Sequence, residues 1–179
     1  MHMLSWLSTE GTAAIVEFPG VLYRSGKAEQ KIRQYLIDNN YVDTVIQLPP
    51  NLFFGVTIAT CIIVLKKSKR ENKTLFIDAS QMFVHEGNKN KLSPENIDAI
   101  IAEYADRKEV KHFSALIDNA AIAQNGYNLS VSSYVEAEDT RPQTDIKELN
   151  ARIARIVAHQ TQLRAEIDAI IAELEAQVV

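Results

Sequence analysis

The chain has 179 residues, 46% of them apolar and 23% charged, which suits one ordinary domain or a compact domain with an appendage and excludes bulk disorder. Its formal charge of −4 argues against a free-standing nucleic-acid binder, while leaving room for nucleic acid met through a local patch or a partner. The single cysteine, Cys61, excludes an internal disulfide and fits a reducing, cytoplasmic setting.

The opening "MHMLSWLSTEG" has no basic region ahead of its apolar residues and no cleavage site, so it is not a signal peptide. Met3, Leu4 and Leu7 at helical spacing predict the last turns of a helix stopped by Gly11, an odd start that suggests a piece of a longer protein. "TAAIVEFP", Thr12 to Pro19, is a continuous apolar run that predicts a central strand covered on both faces. "AEQKIRQYLIDNN" follows as a helix, then "YVDTVIQLP" as a second strand closed by Pro49. Strand, helix, strand at this spacing predicts one βαβ unit with its strands parallel in one sheet. "VTIATCIIVLKK" and "TLFIDAS" give third and fourth strands, whose short polar link "SKRENK" suggests a hairpin. Cys61 lies inside the third run, where a buried, inert thiol is expected. No apolar run exceeds about ten residues, too short to span a bilayer.

Beyond Ser80 the character changes. "LSPENIDAIIAEYADRKEV" predicts a helix with Ser93 as N-cap, Pro94 at the first helical position and an apolar stripe through Ile97, Ile100, Ile101 and Tyr104. "SALIDNAAIAQNGYNLSVSSYV" is mixed, with a turn at Asn125-Gly126, and "EAEDTRPQTD" is a polar linker. The expected organisation is therefore residues 1–80 as the main sheet, 81–135 as a mixed helical extension, 136–145 as linker and 146–179 as one long helix.

That last segment lacks Gly and Pro and is strictly periodic. Ile146, Leu149, Ile153, Ile156, Gln160, Leu163, Ile167, Ile170 and Leu174 are separated alternately by three and four residues, the condition for a coiled coil. Gln160 is the one polar residue on the seam, a place where a buried amide fixes register at a cost in stability. The helix either docks on another chain or folds back on its own domain; the polar linker and the neighbouring Val157 and Ile171 favour docking.

Several stretches come close to chemistry without reaching it. "QLPPNLFFG", Gln47 to Gly55, has the composition of the Asn-Pro-Pro-aromatic tetrad that methylates exocyclic amino groups. In that tetrad the leading side-chain oxygen must accept from the target amino group. Here Leu48 stands first and Asn51 follows the prolines, so this is not the tetrad. "GVLYRSGKA" sits where a phosphate-binding P-loop would, but has five residues between its glycines and Ala28 in place of the hydroxyl. The four histidines have no ligand-spaced partners and no Ser-His-Asp arrangement is visible, so neither a metal site nor a catalytic residue is assigned. Two features remain. Phe53 and Phe54, just past a strand end, are either core anchors or a platform for a base. "KKSKR" supplies Lys66, Lys67, Lys69 and Arg70, either a solvated hairpin or contacts to DNA phosphates.

Taken together, the run from Gly11 to Lys67, "GTAAIVEFPGVLYRSGKAEQKIRQYLIDNNYVDTVIQLPPNLFFGVTIATCIIVLKK", resembles the modification (methyltransferase) subunit of bacterial type I restriction–modification systems. The likeness continues through "TLFIDAS", "NKLSPENIDAIIAEY" and "YNLSVSSYV", and the heptad tail fits it. The resemblance places the chain at the C-terminal end of that subunit, with the glycine-rich cofactor loop and the catalytic tetrad upstream of Met1. It implies an α/β fold: the C-terminal half of a Rossmann-like S-adenosylmethionine-dependent methyltransferase sheet, a helical extension and a long heptad helix.

The implied activity of the intact subunit is adenine-N6 methylation of double-stranded DNA, with S-adenosylmethionine, in a complex with specificity and restriction subunits. No cofactor is expected on this chain alone, which should be catalytically silent. Phe53 and Phe54 match the family's aromatic loop and are the implied target-base platform. Leu149, Ile153, Ile156, Gln160, Leu163, Ile167, Ile170 and Leu174 are the implied docking surface for the specificity subunit; alone, the seam could pair with itself. Two rivals stand beside this reading. One is a non-enzymatic assembly module, an α/β domain with a self-pairing coiled-coil arm. The other is a stand-alone adenine methyltransferase, against which the docking tail argues.

Overall fold

The computed structural model of the chain describes residues 1–138 and 145–177, the last two through their backbone alone. Met1–Glu138 forms one compact unit and the residues from Asp139 onward a second. In chain order the first unit holds α1 (His2–Trp6), β1 (Thr12–Glu17), α2 (Gly20–Tyr23), α3 (Lys27–Asp38), β2 (Val42–Gln47), β3 (Cys61–Lys66) and β4 (Lys73–Asp78). A small hairpin, β5 (Val84–Glu86) and β6 (Lys89–Lys91), is followed by α4 (Pro94–Asp106), β7 (Ser114–Asp118), α5 (Asn119–Gln124) and a 3-10 turn at Val131–Ser133. The second unit is the helix α6 (Ile146–Gln177).

Five strands make one mixed sheet in the order β1-β3-β2-β4-β7. β3 runs antiparallel to both β1 and β2, so β1 and β2 are parallel to each other, as the strand–helix–strand pattern requires, with β3 inserted between them. β4 is parallel to β2 on its other side, and β7 closes that flank antiparallel. The C-terminal ends of β1, β2 and β4 therefore share one rim of the sheet.

The two-residue period of the strands sorts the core into two faces. Val45, Leu65 and Phe76 point to one side, where Leu22, Ile37 and Ile122 of the helices and Leu129 cover them. Ile46, Leu75 and Ile77 point to the other, beneath Ile100 of α4. Phe76 is fully buried, its ring 4.4 Å from that of Tyr134. Ser93 caps α4 as its sequence predicts, its hydroxyl accepting from the Asn96 amide at 3.2 Å, with Pro94 in the first turn. α4 ends at Arg107, in the left-handed region at φ 52°.

The structure corrects several expectations. β1 is an edge strand with alternating exposure, paired among the described residues with β3 alone; it is not a central strand covered twice. An apolar sequence records how little a strand avoids burial, not which neighbours it finds. β3 and β4 do not form a hairpin: they flank β2 on opposite sides, so "SKRENK" is a crossover at the sheet end. β3 also begins at Cys61, the preceding Val56–Thr60 being loop. α1 ends at Trp6 with Leu7 as its C-cap, not at Gly11, because Ser8, Thr9 and Glu10 turn instead, with the Gly11 amide bonded to the Ser8 carbonyl at 3.1 Å. Residues 81–135 share one compact unit with the preceding strands, β7 pairing with β4 and Ile122 of α5 joining the core. Most of the expected linker, residues 139–144, lies outside the described residues.

Candidate functional site

The loop after β2 is held in one shape by its neck and by the β5–β6 hairpin. The Leu48 amide and the Gln47 side-chain amide both donate to the Thr60 carbonyl, at 2.8 and 3.1 Å, and buried Leu48 anchors the loop in the core. Buried Asn90 on β6 donates from its side chain to the Pro50 carbonyl at 2.8 Å, and its backbone N–H donates to the Asn51 carbonyl at 3.1 Å. Asn51 itself has φ 55°, a left-handed conformation that asparagine tolerates better than most residues. The asparagine after the prolines thus does backbone work. Gly55, at φ 73°, closes the tip.

Phe53 and Phe54 project from this clamped loop. Phe54 is 95% exposed, so it is no core anchor, whereas Phe53 is 40% exposed. The Lys89 ammonium stands 4.7 Å from the Phe54 ring centroid and donates to the Phe53 carbonyl at 3.1 Å. A cation beside an exposed ring leaves the ring's other face open for stacking.

The same rim carries residues that no motif in the sequence points to. Phe18 and Tyr23, after β1, and Ile58, in the loop after β2, are all exposed and line a recess of about 500 Å³ with Pro19, Gly20, Arg24 and Ala59. The available signal was an aromatic residue directly at a strand end, in "FPG".

The basic run lies elsewhere. Lys66 ends β3 beside the start of β2, so Lys66–Arg70 occupies the opposite rim from Phe53 and Phe54. Six residues of β2 separate the two rims, roughly 20 Å at about 3.3 Å per residue. Three of the four side chains are already committed. Lys66 is 3.4 Å from the Asp43 carboxylate and 5.0 Å from the Tyr104 ring centroid. Lys67 donates to the Leu7 carbonyl at 2.5 Å and Lys69 to the Val42 carbonyl at 2.6 Å. Burial pulls the Lys69 amine down to about 8. Arg70 is exposed and forms no ion pair among the described residues.

A register shift between Val42 and Thr44 turns Asp43 into this cluster, the re-aiming expected of a bulge. Its carboxylate is almost fully buried and is met by Arg107 at 3.1 Å as well as by Lys66. Cys61 is fully buried, its thiol pushed up to about 11 by desolvation and by the Glu17 charge, in keeping with an inert role.

The heptad seam lies on one helix, α6, whose N-terminus is capped by Asp145 accepting from the Lys147 amide at 2.8 Å. Its eight aliphatic seam residues are between 44% exposed (Leu149) and 71% exposed (Ile146), and Gln160 is exposed with them. Thirty-two helical residues extend about 48 Å at 1.5 Å each. Among the described residues no group of acidic, histidine or cysteine side chains could hold a metal, and no helix is long and apolar enough to cross a membrane.

Residues 1–143 match the family model described as N-6 DNA methylase. The chain belongs to the N-6 DNA methylase family. It is 47% identical over 176 residues to the type I restriction enzyme MpnII methylase subunit of Mycoplasma pneumoniae, a match covering 98% of this chain and 32% of that protein. It is 36% identical over 154 residues to the MjaVIII methylase subunit of Methanocaldococcus jannaschii, covering 83% of this chain and 26% of that protein. Among solved structures it resembles the type I methyltransferase subunit of Streptococcus thermophilus at 38% identity and a TM-score of 0.73, over 75% of this chain and 29% of that one. The chain thus spans about a third or less of the length of these relatives.

The family's methyl donor is S-adenosylmethionine. The recess on the rim is lined by Phe18, Pro19, Gly20, Tyr23, Arg24, Ile58 and Ala59, with no carboxylate for a ribose or an ammonium. The nearby Asp78 carboxylate is taken up by the Ser80 amide at 2.9 Å.

Proposed function

We propose that this chain is the C-terminal part of a type I restriction–modification methylase subunit that methylates adenine N6 in double-stranded DNA. In this reading it supplies the far half of a Rossmann-like sheet, a wall of the target-base pocket and a docking helix. The donor site and the catalytic tetrad belong to the rest of that subunit, and the chain by itself is inactive.

The observation that carries the proposal is the state of β1. Its outer edge is unpaired among the described residues, and an apolar groove of about 380 Å³ runs beside it, lined by Ala14, Ile46, Ile62, Val64, Ile97 and Ile101 among others. A sheet edge and an apolar groove left open on the same flank are the surfaces a further strand and helix would cover.

Phe54, and Phe53 behind it, are the proposed platform for an extruded adenine, because a sequence-tolerant stacking surface needs an exposed ring on a rigid loop. The α6 seam is the proposed contact to the specificity subunit, within an assembly that also holds the restriction subunit. Phosphate contact from the basic run narrows to Arg70, since Lys66, Lys67 and Lys69 are engaged. The test is methylation by the intact complex carrying Phe54→Ala or Phe53→Ala. Loss of rate by tenfold or more at Phe54 is expected, about the value of one lost stacking contact; wild-type rates in both variants remove the platform. Calorimetry of the isolated chain should show no S-adenosylmethionine binding, and micromolar affinity would overturn the division of labour.

The exposed seam also fits the assembly-module rival, which predicts no dependence of methylation on either phenylalanine.

A further inference from the structure

The tail helix shows more than an apolar stripe: the charges flanking that stripe are complementary to themselves in one orientation only. With Ile146 and Leu149 opening the repeat as its first and fourth positions, Asp145, Arg152, His159, Glu166 and Glu173 line one shoulder of the seam. Asn150, Val157, Arg164 and Ile171 line the other.

We infer that α6 pairs antiparallel with the α6 of a second copy of this chain, about a two-fold axis between Gln160 and Leu163. In that register Leu149 meets Leu174 of the second copy, Ile153 meets its Ile170 and Ile156 meets its Ile167. Every one of these layers is aliphatic on both sides. The two central layers each hold one Gln160 against one Leu163, so the polar seam residue sits at the axis.

The flanking charges select this arrangement. In an antiparallel pair, like shoulders face each other: Arg152 stands opposite Glu173 of the second copy, and His159 opposite its Glu166, each twice by symmetry. Sliding one helix by a heptad in one direction keeps an attraction, Arg152 against Glu166, but sets Asp145 against Glu173 and His159 against its own copy. Sliding it the other way sets Glu166 against its own copy. A parallel pair in register sets Arg152 against Val157, His159 against Arg164 and Glu166 against Ile171, with no opposite charges matched. Antiparallel packing also aligns the helix macrodipoles favourably.

The seam's exposure supports the need for such a partner. Ile153, Ile156, Ile167 and Ile170 are each between 49% and 59% exposed on a capped helix about four heptads long. An apolar stripe of that length in water is a contact surface. The inference concerns the chain on its own and engages the same seam as the proposed specificity-subunit contact, but it does not depend on any methylation chemistry.

The experiment is sedimentation equilibrium of the 179-residue chain together with directed cross-linking. A dimer is expected. Mixing a Leu149→Cys chain with a Leu174→Cys chain under oxidation should give the mixed disulfide, while the Leu149→Cys chain alone should not self-link. Cys61, fully buried, does not compete. Arg152→Glu should weaken the dimer about tenfold by converting two attractive pairs to repulsive ones, and adding Glu173→Arg should restore it. A monomer across the micromolar range overturns the inference, as does self-linking of the Leu149→Cys chain or failure of the double reversal to restore pairing. Neither readout uses methylation, so this pairing and the methylase reading fail separately.

Discussion

Arg107 holds its guanidinium 3.1 Å from the carboxylate of Asp43, joining the end of α4 to the bulge that opens β2. Asp43 is 3% exposed, so this partner and Lys66 are what make a charged side chain tolerable there. Arg107 reaches it from a left-handed backbone that most residues avoid.

Arg107→Ala should therefore cost about 3 kcal/mol of unfolding free energy, because it strands a buried carboxylate, not because the pair itself is strongly stabilising. Urea denaturation of the isolated chain measures it. A loss below about 1 kcal/mol would mean that Lys66 alone satisfies Asp43.

Lys69 predicts a pH dependence. Its amine is pulled down to about 8, from an ordinary value of 10.5, chiefly by burial. Between those two values the unfolded chain binds a proton that the folded chain has released, so this group makes stability rise with pH across that window. Below it, the burial cost of the charged amine is fully present. Lys69→Met should abolish the rise between pH 8 and 10 in denaturation curves; an unchanged slope would assign it to another group.

Thr60 closes the neck of the aromatic loop, and its hydroxyl is buried with no hydrogen-bond partner among the described residues. Thr60→Val keeps the shape and removes that orphan oxygen, so it should stabilise the chain by about 1 kcal/mol. Thermal or urea midpoints read this directly, and a destabilised variant would show that the hydroxyl has a partner in solution.

The parts of this fold that were legible in the sequence are those set by neighbours a few residues apart. α3, the Ser93 cap with Pro94, and the α6 seam all follow from helical spacing and end chemistry. Strand existence was legible too, and so was the parallel relation of β1 and β2. Strand order was not. Thr12–Pro19 is mostly apolar, yet the sheet puts β1 at its edge, since pairing is decided by segments about fifty residues away. The six polar residues of "SKRENK" resemble a hairpin turn, but carry the chain past β2 to its far side.

At the site, "LPPNLFFG" announced the aromatic loop, and the structure adds the Asn90 clasp and the Lys89 cation that fix its shape. Phe18, Tyr23 and Ile58 went unread because they join the rim only after the sheet has formed. Four cations in five residues suggest one electropositive patch, while three of the side chains turn to carbonyls and to Asp43, a distribution that charge counting cannot reveal.

Separate rims set a minimum footprint. A duplex that touches Phe54 and Arg70 together must follow the length of β2, close to six base-pair steps at about 3.4 Å each. Under the proposed function, Arg70 serves as a backbone grip, felt equally at every sequence and weakened by salt, with the choice of extruded base made far from it.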